Sequence, residues 1–129
     1  MMETPGLNHI ILTVGDLEKS KAFYGALLDF ELHNVSDENP AQGFWFTCGS
    51  VAFFMMASRA PIPGDRFSEF RIGLDHLAFS APSEAALNEL TATLIAGGVD
   101  TKGVETFSTG NRYVAFRDPD NIQLEYWLD

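Results

Sequence analysis

Leu7-Asn8-His9-Ile10-Ile11-Leu12-Thr13-Val14 and Leu74-Asp75-His76-Leu77-Ala78-Phe79-Ser80-Ala81 are two versions of one segment, 67 positions apart. Reading outward at that offset, Asp16 falls on Ser83, Phe23 on Leu90, Leu27-Leu28 on Leu94-Ile95, and Leu32 on Val99. Identity is low, but residue types match at matching places, and the repeat is about half of the 129-residue chain. A unit that recurs this way is a duplicated supersecondary module.

Each copy opens with a strand, because side chains alternate across a sheet. In the first copy Ile10, Leu12 and Val14 form an apolar face, and His9, Ile11 and Thr13 form the other. In the second, Leu77 and Phe79 oppose His76, Ala78 and Ser80. Asp16 and Ser83 then cap helices, since a short polar side chain can accept from the free amides of a first turn. Leu17, Ser20, Tyr24, Leu27 and Leu28 share one face of the first helix. Leu87, Leu90, Leu94 and Ile95 share one face of the second, and Gly97-Gly98 ends it. Three further strands are expected in each copy. They are Phe30 to Val35, Phe44 to Thr47 and Val51 to Met56 in one, and Val99 to Glu105, Arg112 to Arg117 and Ile122 to Trp127 in the other. Cys48-Gly49-Ser50 and Asp118-Pro119-Asp120-Asn121 are turns, and residues 57–71, with Pro61, Pro63 and Gly64, form the connection. The fold class is therefore α+β. Two β-α-β-β-β modules, residues 1–65 and 66–129, together make one structural domain.

Composition narrows the function. Eight basic against 18 acidic residues give a net charge of −10, which repels phosphate backbones and anionic lipid. Neither nucleic acid nor a membrane is an expected partner. Cys48 is the sole cysteine, so no disulfide framework exists, which fits a cytoplasmic setting. The start of the chain lacks the pattern of a signal peptide, and Val51 to Ala57, the longest apolar run, is too short to cross a bilayer.

The chemistry-bearing residues lie on the histidine faces. His9 and His76 occupy the same repeat position, and Glu125 is a charged residue inside an otherwise apolar last strand, where Gln123 and Trp127 share its face. Two imidazoles and one carboxylate are the ligand set of a facial triad, which holds a divalent cation and leaves its other positions open. A substrate with two adjacent oxygens can fill them, with the cation as Lewis acid. Strand alternation also brings part of the Phe44-Trp45-Phe46 and Phe53-Phe54-Met55-Met56 runs to this face. Trp45, Phe54, Met56 and Trp127 are the expected apolar lining of a small-molecule site, with Arg112 as a candidate contact for a substrate anion and Tyr113 as a candidate general base. His33 has no repeat partner and is expected in solvent, and Cys48 is expected to be structural.

With His9 opening a strand, Val14-Gly15-Asp16-Leu17, Phe23-Tyr24, His76 opening the second copy, and Asp118-Pro119-Asp120-Asn121 ahead of Glu125, the chain resembles the vicinal oxygen chelate superfamily. That group includes glyoxalase I, extradiol dioxygenases, fosfomycin-resistance transferases and bleomycin-resistance proteins. The resemblance spans nearly the whole chain. It implies an open, cupped mixed sheet with helices on its outer face, a divalent metal ion (Fe, Mn, Ni or Zn) held by His9, His76 and Glu125, a homodimer, and lyase, isomerase or dioxygenase chemistry. The glyoxalase I branch has a fourth ligand late in its first copy, where Val51 to Met56 offers none. The dioxygenase branch has a tyrosine where Ala115 stands, with Tyr113 two residues off on the same strand face. The fosfomycin branch uses several basic residues, for which Arg112 and Arg117 are too few. A second reading is a metal-independent binding protein of the bleomycin-resistance type that sequesters a drug or metabolite. The net charge and the aromatic residues favour it, and the intact triad opposes it.

Overall fold

The structure, a computed structural model, describes residues 1–129. It divides into two compact units, Met1–Asp65 and Arg66–Asp129. Each is a four-stranded mixed sheet with helical cover, giving an α+β fold of two repeated modules.

In the first unit the order along the chain is β1 (His9–Val14), α1 (Leu17–Lys21), a π-helical stretch (Ala22–Leu27), β2 (His33–Asn34), β3 (Gly43–Cys48) and β4 (Val51–Ala57). The sheet order is β1-β4-β3-β2, with β1 parallel to β4 and the other pairs antiparallel. Asp16 caps α1 as expected, accepting from the Lys19 amide at 3.1 Å. The helix does not continue regularly. Beyond Lys21 it widens to a π-helix, and the Leu28 amide donates to the Phe23 carbonyl, five residues back, at 3.0 Å. Phe23 and Tyr24 are both buried there, on the face of Val14, Phe44, Phe46, Phe53 and Met55. The Tyr24 ring lies 5.6 Å from that of Phe46, which stacks on Phe53 at 5.3 Å. These large rings make the unit's core, each contributing roughly 1.5–3 kcal/mol by leaving water.

The expected strand from Phe30 to Val35 contracts to His33–Asn34. Asp29 turns the chain with φ +60°, and Leu32 packs against Gly25, where a Cβ would meet its side chain at 2.9 Å. Only two residues remain to reach β3.

The second unit runs β5 (Leu77–Ser80), α2 (Glu84–Ala96), β6 (Val104–Thr106), β7 (Arg112–Arg117) and β8 (Gln123–Leu128). Its sheet order is β5-β8-β7-β6, with β5 parallel to β8. Ser83 caps α2 by accepting from the Ala86 amide at 3.2 Å. Leu87 and Leu94 are fully buried, together with Val114, Phe116, Ile122 and Leu124. Ile95, expected on the same helix face, is 64% exposed, because one residue past Leu94 is a rotation of about 100°.

The expected strand from Val99 also starts late. The Val99 amide closes the helix end on the Leu94 carbonyl at 2.9 Å, and Gly103 sits at φ +74°. The turn into β8 is built by buried Asp118, which accepts from the Asp120 and Ile122 amides, both at 2.9 Å. No helix is long and apolar enough to cross a membrane.

Candidate functional site

The strand registers of the two units superpose on the repeat. His9 leads β1, and Ile11 two residues on lies beside Phe54 of β4. His76 stands just ahead of β5, and Ala78 two residues on lies beside Glu125 of β8. Phe54 and Glu125 are thus equivalent positions, and so are Trp45 and Ala115, their partners on the next strand.

In the second unit His76 and Glu125 meet. His76 Nε2 lies 3.5 Å from Glu125 Oε2. On its other side His76 Nδ1 is 2.6 Å from Asp75 Oδ1. An ionised carboxylate only accepts, so Nδ1 carries the proton and donates it to Asp75. In the neutral ring Nε2 is then a bare lone pair aimed at a second carboxylate. Two electron-rich groups facing each other suit a cation between them, a proton on Nε2 when the ring is charged or a shared metal ion when it is neutral. Their separation is close to the roughly 3.4 Å between two donors each about 2.1 Å from one ion at a tetrahedral angle. The Glu125 side chain is only 13% exposed, which strengthens its pull on such a cation.

In the first unit His9 has the same backing and a different front. Its Nδ1 is 2.7 Å from Asn8 Oδ1. Phe54 stands where the carboxylate would be, edge-on to the imidazole with ring centroids 5.8 Å apart. The row continues across the sheet: Phe54 stacks with Trp45 at 6.0 Å, and Trp45 lies 4.6 Å from His33. His33 is exposed as expected, but its ring contacts Trp45. Met56 shares this face opposite Gly43, where a Cβ would come within 2.6 Å of the Met55 carbonyl and 2.7 Å of the Met56 sulfur. Trp45, Phe54 and Met56 are each half-buried.

On the second unit's matching face, Tyr113 and Trp127 stack at 5.3 Å, and Phe107 meets Trp127 edge-on at 5.4 Å. Burial pushes the Tyr113 phenol above its ordinary pKa, and the charges of Glu105 and Glu125 push it further. A raised phenol pKa favours the protonated form. Arg112 is not on this face. Alternation along β7 turns it to the opposite side, where it pairs with Glu84 in the first turn of α2 at 2.9 Å. Cys48 ends β3 at the hairpin, and burial raises its thiol pKa, which disfavours the reactive thiolate.

Arg117 does lie on the face of Glu125, beside a cleft of about 630 Å³ within the second unit that Arg66, Lys102, Glu105, Ala115 and Gln123 also line. Its guanidinium forks onto Glu69 at 2.7 and 3.1 Å and holds that carboxyl at about 2, far below its ordinary value. Asn121 ties the same stretch down, donating to the Phe67 carbonyl at 3.1 Å and accepting from Arg66 at 3.0 Å.

Neither unit by itself gathers three His, Cys, Asp or Glu side chains at one point. The second unit brings together two of the three expected ligands, and the first holds the remaining histidine. Asn8 and Asp75 went unread in the sequence, although each sits directly before a repeat histidine and both are short acceptors.

A sequence model of the Glyoxalase/Bleomycin resistance protein/Dioxygenase superfamily matches residues 6–126. The chain belongs to this superfamily. An uncharacterized protein of Bacillus subtilis, YqjT, is 31% identical over 92% of this chain and 95% of its own. Among solved structures, a domain of the superfamily from Frankia sp. EAN1pec superposes with a TM-score of 0.79 at 30% identity, covering 98% of each chain. The fosfomycin resistance protein FosX of Listeria monocytogenes superposes with a TM-score of 0.72 at 28% identity, covering 98% of this chain and 95% of its own.

Proposed function

We propose that this member of the superfamily is a divalent-metal-dependent enzyme acting on a small molecule that carries two adjacent oxygens. The observation that carries the reading is the His76–Glu125 pair, an imidazole Nε2 facing a half-buried carboxylate at 3.5 Å. His76 and Glu125 are two of the ligands, and His9 is the third. The donor set of two imidazoles and one carboxylate suits Fe, Mn, Ni or Zn. Once bound, such an ion supplies Lewis-acid stabilisation of negative charge on the chelating oxygens.

The chain's own residues do the rest. His76 and His9 are neutral donors and Glu125 an anionic one, so the site keeps one net positive charge for an anionic chelator. Tyr113 keeps its proton and serves as a hydrogen-bond donor to developing negative charge. Trp127, stacked with Tyr113, supplies an apolar wall for a flat or hydrophobic substrate. Exposed Phe70 and Ile72, at 92% and 108% of full accessibility, support a homodimer that covers them. The single free thiol fits a cytoplasmic location.

Elemental analysis of protein purified without chelators tests this reading. About one divalent ion per chain is expected, with that ion lost from the His76→Ala variant. No ion, and no uptake of added Mn, Fe, Ni or Zn, would contradict it.

A second reading has support of its own. Phe107, Tyr113 and Trp127 form an aromatic cluster with Glu105 and Glu125 beside it, in a chain of net charge −10. Such a cluster suits an organic cation, as a sequestering protein would bind it without metal. Ligand binding that survives His76→Ala unchanged would favour this reading.

A further inference from the structure

We propose that Asn8 and Asp75 are positioning residues that set the tautomer of His9 and His76, leaving Nε2 of each ring bare to act as a ligand. The proposal rests on the metal reading for its purpose, but its content can be tested without metal. Both contacts are short, 2.7 Å from His9 Nδ1 to Asn8 Oδ1 and 2.6 Å from His76 Nδ1 to Asp75 Oδ1. Both acceptors come from the residue directly before the histidine, at the start of the first strand of each unit. The same contact has therefore formed twice on two different side chains, an amide and a carboxylate. That points to a requirement for an acceptor at this place rather than for a particular residue.

The physical reason is the two-nitrogen chemistry of imidazole. A neutral ring has one N–H and one lone pair, and a partner that only accepts holds the proton on its own side. A histidine side chain free in water favours the proton on Nε2, which would block the nitrogen that faces Glu125. A fixed acceptor at Nδ1 reverses the preference, orients the ring and raises the basicity of the opposite nitrogen. In the second unit the nitrogen that this tautomer would leave bare is the one 3.5 Å from Glu125 Oε2. The third histidine provides a contrast. His33 is exposed and its ring contacts Trp45 at 4.6 Å, with no acceptor on Nδ1.

The experiment is nitrogen-15 NMR of the imidazoles in metal-free protein at about pH 8, above the ordinary histidine pKa. His9 and His76 are expected in the Nδ1–H form and His33 in the Nε2–H form. Asn8→Ala should return His9 alone to the Nε2–H form, and Asp75→Ala should do so for His76 alone. Asn8→Asp and Asp75→Asn keep an acceptor and should keep the native tautomer. In metal titrations the alanine variants should bind about 10- to 100-fold more weakly, and the conservative ones within a few-fold of native. His9 and His76 in the Nε2–H form, or unmoved by the alanine variants, would overturn the proposal even in a protein that binds metal. Native tautomers as expected in a protein that takes up no metal would uphold the positioning role and overturn the metal reading.

Discussion

At one register position the first unit carries Phe54 and the second carries Glu125. Everything behind that position is alike. A histidine at the head of the first strand is held at Nδ1 by the side chain before it, and a sheet with an apolar back lies beneath a capped helix. What lies in front differs. The first unit presents a row of rings from His9 through Phe54 and Trp45 to His33, while the second presents an imidazole against a carboxylate. One scaffold thus carries different side chains on its fourth strand, a ring in one copy and a carboxylate in the other. Fold and chemistry are separable here, because the exchanged side chain lies on the face away from the core.

Glu125→Phe gives the second unit the first unit's residue, and it is the strongest way to break the contrast. Divalent-ion affinity measured by calorimetry should fall about 100-fold or more, since a charged ligand is lost and not merely weakened. Retained affinity would mean that the carboxylate is not a ligand. Gly43→Ala tests the other face. A Cβ there has no room beside the Met55 carbonyl and the Met56 sulfur, so overpacking should cost about 1–3 kcal/mol in denaturant unfolding. The aromatic row should be disturbed while the His76–Glu125 pair of the second unit is unchanged.

The contrast between the units was partly legible in the sequence. The histidines, Glu125 and the long strands β3, β4, β7 and β8 were readable because alternation is strict there and each strand has one face committed to the core. The short strands β2 and β6 were over-extended. What trims them is non-local: Leu32 lying on Gly25 in one unit, and the Thr101 hydroxyl donating to the Ala115 carbonyl at 2.9 Å in the other. The π-helical stretch after Lys21 left no periodic trace, because it answers to the packing of Phe23 and Tyr24. Arg112 was assigned to the substrate side because its charge was read before its parity on β7. Asn8 and Asp75 were in view in both repeats, but their role depends on a distance that only coordinates supply.

Glu69→Gln sharpens the comparison through a device found in the second unit, the fork from Arg117. The carboxyl titrates at about 2 when folded against an ordinary value of 4.5, so the folded state prefers its ionised form. The stabilisation is present in full above about pH 4.5 and fades as pH falls toward 2. The variant should melt below the native protein at neutral pH, and the gap in Tm should close across that acidic window. A constant gap would show that the fork is not its source.

Arg112→Ala should have the smallest effect. Its pair with Glu84 is about half exposed on both sides, and such pairs contribute roughly 0–1 kcal/mol. Ligand and metal binding should not change.

The most direct test of the account is anomalous diffraction from crystals of the native protein grown with Mn²⁺. The account predicts a manganese peak about 2.0–2.3 Å from both His76 Nε2 and a Glu125 oxygen, with His76 Nδ1 still on Asp75. Manganese bound elsewhere, or a saturated crystal with His76 and Glu125 still paired to each other and not to the ion, would contradict it.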